Sequence, residues 1–279
     1  KAAIKNNFNF KGADLTPVNN FDKFREFELD GDEKFISGIN VSTDGTVAAL
    51  FPQVADAQFS NLVFEKITVD AGEGEKAYAG ALLGITYGDV VLDNVKISDS
   101  TVKGTNKVGG LIGSVMEDSI TATGCVVTKS TIETHNVSGE SGLAGGLIGY
   151  IACQGDGDVD AVSKVEACEV TESKITVINS RNSEARANSE FIGAIGGDDS
   201  DIIYINKNEV VNVTLSDKDT TPLFEGIIGG TRGRFTVCLD GVADYNGYVA
   251  DALPEAVAGV VEIVTPSQFA KLLTDGVPA

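Results

Sequence analysis

The segment Val108-Gly109-Gly110-Leu111-Ile112-Gly113 decides the architecture, because it returns along the chain at intervals of one supersecondary unit. It matches Ala79-Gly80-Ala81-Leu82-Leu83-Gly84 before it and Ala144-Gly145-Gly146-Leu147-Ile148-Gly149 after it. Looser copies stand at Phe191-Ile192-Gly193-Ala194-Ile195-Gly196-Gly197 and Phe224-Glu225-Gly226-Ile227-Ile228-Gly229-Gly230, and a degenerate first copy at Ala48-Ala49-Leu50-Phe51-Pro52. Measured from positions 52, 84, 113, 149, 196 and 229, the steps are 32, 29, 36, 47 and 33 residues. Repeats of this size build solenoids, in which each unit buries its apolar face against its neighbours.

A second strip follows each anchor and alternates as strands do, for example Val91-Leu92-Asp93-Asn94-Val95-Lys96-Ile97 and Val165-Glu166-Ala167-Cys168-Glu169-Val170. Aligned on the anchors, Asn61, Asn94, Cys125, Cys168, Asn208 and Cys238 share one column, which reads as an inward-facing ladder. The pattern predicts an all-β fold, a right-handed parallel β-helix (solenoid) of about six to seven coils. Each coil pairs with those above and below at a spacing of about 4.8 Å. Gly84, Gly113, Gly149, Gly196 and Gly229 close tight corners where neighbouring backbones approach. Cys125 and Cys168 read as reduced packing residues, free cysteine being a small, readily buried side chain.

The two ends differ from the middle. Residues 1–45 read as an N-terminal cap with lead-in strands, its apolar material being Phe8, Phe10, Phe21, Phe24, Phe27 and Phe35. Residues 46–250 form the β-helix, and 251–279 a short C-terminal cap helix or the start of a following module. Thr265-Pro266-Ser267-Gln268 is a capping box with proline at the first helical position, and Phe269-Ala270-Lys271-Leu272-Leu273 runs on to Gly276 as the stop.

Composition narrows the function. In 279 residues, 21 Lys and Arg face 41 Asp and Glu, a net charge of −20. Such a field repels polyanions and argues against nucleic-acid binding. An apolar content of 42% supports a buried core. The single histidine, His135, excludes a two-histidine zinc site, and a Ser–His–Asp relay would depend on it alone. The four cysteines show no C-x-x-C spacing. The longest apolar runs, such as Ala144–Cys153, are about half the roughly 20 residues that span a bilayer, so no transmembrane segment is expected. The only methionine is Met116, so Lys1 is not a translation start, which fits a removed secretory signal.

The glycine-rich anchors, each followed by a strand with Asn or Cys and then a Val/Ile strand, resemble the GLUG-motif repeats of bacterial surface proteins. The entry segment is similar to that family's lead-in: Asp14-Leu15-Thr16-Pro17-Val18, then Phe27-Glu28-Leu29-Asp30-Gly31, then Ile36-Ser37-Gly38-Ile39-Asn40-Val41. It departs at Leu15, where the family carries Trp, and lacks a second Asn-Gly. The resemblance covers roughly residues 14–240 and implies a β-helical, exported, adhesin-like protein of Bacteroidetes. Such a protein sits at the cell surface or is anchored to the outer membrane, attached only through a removed lipoprotein signal. The motif is structural and carries no catalytic residues over.

Function in a solenoid usually lies in loops that leave the repeat. The fourth coil carries Gln154-Gly155-Asp156-Gly157-Asp158-Val159-Asp160, and alternate carboxylates of Asp156, Asp158 and Asp160 can converge on Ca²⁺. It is not an EF-hand loop, since Ala167 stands where the bidentate Glu belongs. Otherwise no cofactor is expected, and the stretch is a solvated acidic turn. Asp89, Glu117, Asp118, Asp198, Asp199 and Asp201 would extend it as a stripe. Arg181, Asn182 and Arg186 supply polar groups of the kind that bind sugars, or belong to an ordinary loop. Tyrosines for sugar stacking are few, Tyr78, Tyr87 and Tyr150 among them. The leading reading is a non-catalytic, adhesin-like surface protein that displays loops to a host protein or glycan. The alternatives are a β-helical polysaccharide lyase or hydrolase, and a passive stalk.

Overall fold

The computed structural model describes residues 1–17, 19–74, 77–134, 142–153, 161–177, 188–197, 201–216, 227–233 and 235–239. They are almost entirely β-strand, arranged in parallel sheets of eight, six, twelve and four strands. Ala79–Gly80 belongs to the four-stranded sheet, Leu83–Tyr87 to the six-stranded and Val90–Asp93 to the eight-stranded. Lys96–Ser98 and Thr101–Gly104 follow in the twelve-stranded sheet, and Lys107–Gly109 then returns to lie parallel beside Ala79–Gly80. The chain thus repeats one circuit and lays each strand on its predecessor, an all-β arrangement compatible with a β-helix.

Three middle circuits lengthen in turn. Val108 pairs with Ala79, Ala144 with Val108 and Asn188 with Ala144, steps of 29, 36 and 44 residues. Added residues therefore enter between strands and leave the strand register intact. The apolar column Leu82, Leu111, Leu147 and Phe191 is fully buried in one continuous core. Each strand pair repeats the same inward position, so one side-chain choice per circuit fills the interior.

The register corrects two sequence alignments. Gly193, not Gly196, stands in the column of Gly84, Gly113 and Gly149, because Ile192 pairs with Ile148. Gly196 instead pairs with Ala152 and Arg232, while Gly229 keeps its place beside Gly193. The glycine-rich run Gly193–Gly197 permits either phase by pattern alone, and burial does not separate them, since Ile192 and Ile195 are both fully buried; the pairing of Ile192 with Ile148 fixes the phase. The supposed single ladder is three columns. Asn61 and Asn94 occupy a left-handed corner (φ 51° and 52°) shared with Gly124, Ala167 and Lys207. Asn94 Nδ2 donates to Asn61 Oδ1 at 3.1 Å, and Asn61 Nδ2 to Asp30 Oδ1 at 3.2 Å. Cys125, Cys168 and Asn208 lie one residue further on, facing the core below Leu62 and Val95. Here the Cys125 amide donates to Cys168 Sγ at 3.4 Å, and the Cys168 amide to Asn208 Oδ1 at 2.8 Å. Cys238 pairs with Tyr204 on a third column.

A ladder that no motif announced turns the next corner. Ile67, Ser100 and Ser130 amides donate to Ser100, Ser130 and Ser173 hydroxyls at 3.0, 3.2 and 3.1 Å. The hydroxyls in turn donate to the carbonyls of Ser98, Thr128 and Thr171. Asp99, Lys129 and Glu172 just before them hold φ of 48–50°. At such a corner the amide points inward with no strand partner, and the stacked hydroxyl satisfies it.

At the N-terminal end, Phe24 and Phe27 pack on Phe51 and Phe59 with centroid separations of 5.2–6.0 Å. Phe8, Phe10 and Phe35, expected in the cap, are instead 37–42% exposed. Phe8 and Phe10 belong to the strand Phe8–Leu15, which pairs along one side with Phe35–Ser42. Its register breaks between Asn9 and Ala13, where Lys11 and Gly12 turn to φ 56° and 80°. A bulge of this kind interrupts an edge and disfavours the addition of another chain. The helix at 265–273 lies outside the described residues.

Two glycines on one circuit separate space from conformation. A Cβ on Gly109 would collide with Ile112 O and lie 2.6 Å from Gly149 N, whereas Gly124 (φ 62°) has its nearest atoms 4.0 Å away. Gly109→Ala is expected to cost about 3 kcal/mol. Gly124→Asn, which extends the Asn61–Asn94 ladder, is expected to range from neutral to about 1 kcal/mol stabilising. Urea denaturation of both variants checks the contrast.

Candidate functional site

The anchor begins on one sheet and ends on the next, and its glycines set how closely the two sheets meet. Gly109 and Gly145 face outward between the inward Val108 or Ala144 and the turn. A Cβ on either would strike a carbonyl of the six-stranded sheet, at Ile112 or Ile148. The outer faces of the four- and six-stranded sheets therefore converge in a cleft whose apex is glycine on three circuits, Gly80, Gly109 and Gly145, and the buried Ser189 on the next. The walls come from the residues just outside each anchor. Tyr78, Lys107 and Leu143 precede successive anchors and share one column, while Ile85, Ser114, Tyr150 and Ala194 share the facing one.

Lys107 spans this cleft. Its ammonium lies 4.0 Å from the centroid of the Tyr150 ring, one circuit on, and 5.2 Å from that of Tyr78, one circuit back. Nζ also approaches Met116 Sδ at 3.5 Å, a sulfur that accepts the Ser114 hydroxyl at 3.1 Å. Leu143, Ala194 and Tyr150 pack together alongside. Among the described residues no oxygen accepts a hydrogen bond from Lys107 and no carboxylate pairs with it, although the chain has 41 acidic residues. Burial lowers its pKa from 10.5 to about 8. Ring faces attract an ammonium by about 0.5–2 kcal/mol, which offsets part of that desolvation. The neighbouring outward position holds Tyr87, whose phenol burial and then Glu117 push upward.

Asp156, Asp158 and Asp160, with Arg181, Asn182, Arg186 and His135, lie outside the described residues. Of the acidic stripe, Asp89 accepts the Ser119 hydroxyl at 2.5 Å, and its amide donates to Asp56 Oδ1 at 3.2 Å. Asp56 also pairs with Arg25 at 3.2 Å. Asp201 is 2% exposed and accepts the Ala161 amide at 3.1 Å. These carboxylates serve corner hydrogen bonds, and among the described residues no three His, Cys, Asp or Glu side chains group as a metal site. Cys125, Cys168 and Cys238 are buried and form no disulfide with one another. The hydrogen bond shared with Cys168, together with burial, pushes the Cys125 thiol well above its ordinary range.

Sequence reasoning named Tyr78 and Tyr150 only as scarce aromatics and passed over Lys107. The signal was present: each of these residues directly abuts an anchor, before Ala79, before Val108 and after Gly149.

Fold and cleft together define an all-β protein of stacked parallel strands carrying an aromatic-and-cation groove on its outer surface. No protein-family model and no curated protein matches the chain. Among solved structures it is similar to a Bacteroides ovatus protein whose crystal structure is described as that of a "putative immunoglobulin A1 protease". The two share 16% identity at a TM-score of 0.38, over 77% of this chain and 70% of that one, too little to carry a function across. No helix among the described residues is long and apolar enough to cross a membrane.

The lowered pKa of Lys107 has a defined sign in stability. Below about pH 8 the ammonium is charged both folded and unfolded, and its burial cost is fully present. Between pH 8 and 10.5 the folded state releases the proton first, so stability rises with pH. After the ring attraction is allowed for, the gain is about 1–3 kcal/mol. Urea denaturation of wild type and Lys107→Met at pH 7 and pH 10.5 should show the difference between them changing by that amount; parallel behaviour would refute it.

Proposed function

We propose that this protein is a non-catalytic, exported, adhesin-like surface protein that binds a host protein or glycan, built as a right-handed parallel β-helix of GLUG-like repeats. The observation that carries the reading is the Tyr78–Lys107–Tyr150 cluster, drawn from three consecutive circuits. Half-buried tyrosines offer flat apolar faces with a hydroxyl, the chemistry suited to sugar rings and protein side chains alike. The parallel stacking supports right-handed winding, because crossovers between parallel strands take that hand almost without exception. Anchoring through a lipoprotein signal at the cell surface or outer membrane belongs to the same proposal, resting on the resemblance of the repeats. Calcium at Asp156, Asp158 and Asp160, and sugar contacts from Arg181, Asn182 and Arg186, belong to it as secondary sites.

The test is binding of the purified protein to a printed array of neutral and acidic glycans and to host-cell extracellular proteins. The double variant Tyr78→Ala/Tyr150→Ala, its β-content verified by circular dichroism, serves as the comparison. Binding by the wild type that falls about ten-fold or more in the variant is the expected result. Equal binding by both moves the site off the cleft. Appearance of reducing ends, or of the ultraviolet absorbance of an unsaturated sugar, would replace this reading with the hydrolase or lyase one.

A further inference from the structure

We infer that the cleft between the four- and six-stranded sheets takes a pyranose bearing a single carboxylate, with Lys107 receiving the carboxylate and Tyr150 stacking on the ring. This deepens the reading of the cleft as a binding site and rests on it. The first ground is the mismatch around Lys107. An ammonium carries three donors, yet its contacts within the described chain are two π faces and one thioether, a weak acceptor. A carboxylate would supply the missing oxygen acceptors in a partly desolvated setting, where a charge-assisted hydrogen bond is strongest.

The second ground is the shape of the site. Tyr78 and Tyr150 flank the ammonium from the circuits before and after it, and the glycine column keeps both walls close. A ring lying along the stack can rest on a tyrosine face while its charged substituent points at Nζ. Leu143 and Ala194, both buried, pack against Tyr150 and hold its ring in place.

The third ground limits the charge of the ligand. A net charge of −20 opposes any polyanion. One carboxylate is different, since charges beyond about 8 Å are screened at physiological salt while the contact at Lys107 is not. A glycan with isolated acidic residues among neutral ones fits both constraints.

The probes are galacturonic acid and N-acetylneuraminic acid as methyl glycosides, each compared with its carboxyl-reduced counterpart and titrated by NMR into the whole protein. The acids are expected to bind about ten-fold or more tightly than the reduced sugars, and Lys107→Met to abolish that preference. Affinity for the acids should fall with rising pH above about 8 in the wild type, whereas in Lys107→Arg the guanidinium keeps its charge and binding persists. Among the described residues the other titratable groups on this face are the Tyr78 and Tyr150 phenols, with Tyr87 and Glu117 at the next position; Tyr150→Phe controls for the nearest phenol. Equal binding of acid and reduced sugar, lost in Tyr150→Ala, overturns the carboxylate inference and leaves the cleft as a neutral-sugar site. Absence of binding by every probe, with the array also blank, overturns both readings.

Discussion

In-register parallel pairing between successive circuits is the constraint on which everything else in this protein depends. Each strand residue lies beside its counterpart one circuit on, about 4.8 Å away. Any residue chosen at a position must therefore tolerate a near copy of itself above and below. Apolar columns satisfy this by packing, as Leu82, Leu111, Leu147 and Phe191 do in the core. Polar columns satisfy it by hydrogen bonding along the stack, as Ser100, Ser130 and Ser173 do.

Corners are where the constraint becomes severe. The chain must leave one sheet and enter the next without stranding main-chain groups, and each corner has its own solution. Two corners use left-handed residues backed by ladders, of asparagine in one and serine in the other. The third is crowded by the neighbouring sheet's carbonyls, and glycine stands at Gly80, Gly109 and Gly145 in succession before Ser189 takes the place on the next circuit. That shortage of space has a consequence outside the core. It draws two outer sheet faces together, so side chains that would otherwise be solvated meet in a cleft. Lys107 loses much of its hydration there and acquires tyrosine rings in place of carboxylates. The candidate site is thus a by-product of the packing rule that closes the corner.

Much of the architecture was legible because a stacked fold writes its geometry as a period. The anchors at residues 79–84, 108–113 and 144–149 lie in register in the structure. Legibility failed where the period is degenerate. Gly193 and Gly196 both fit the motif and each follows a fully buried isoleucine, so only the pairing of Ile192 with Ile148 distinguishes them. It failed again where one column changes its chemistry, since Asn61 and Asn94 turn a corner while Cys125 and Cys168 beside them face the core. A shift of one residue moves a side chain from corner to interior, and residue type alone does not reveal the shift. The serine ladder went unread because serine is equally at home on a solvated strand.

Sequence by itself determined that the chain is a repeating all-β protein, that its anchors need glycine and that its charge opposes polyanions. These follow from spacing and composition, which are properties of a line of residues. Tertiary structure alone decided which residues share a face. Tyr78, Lys107 and Tyr150 are separated by 29 and 43 residues and belong to no common motif. They meet because each touches an anchor, and because glycine lets consecutive anchors fold their flanks toward one another. The pKa of Lys107 follows from that meeting, since desolvation depends on what surrounds a charge in space rather than along the chain.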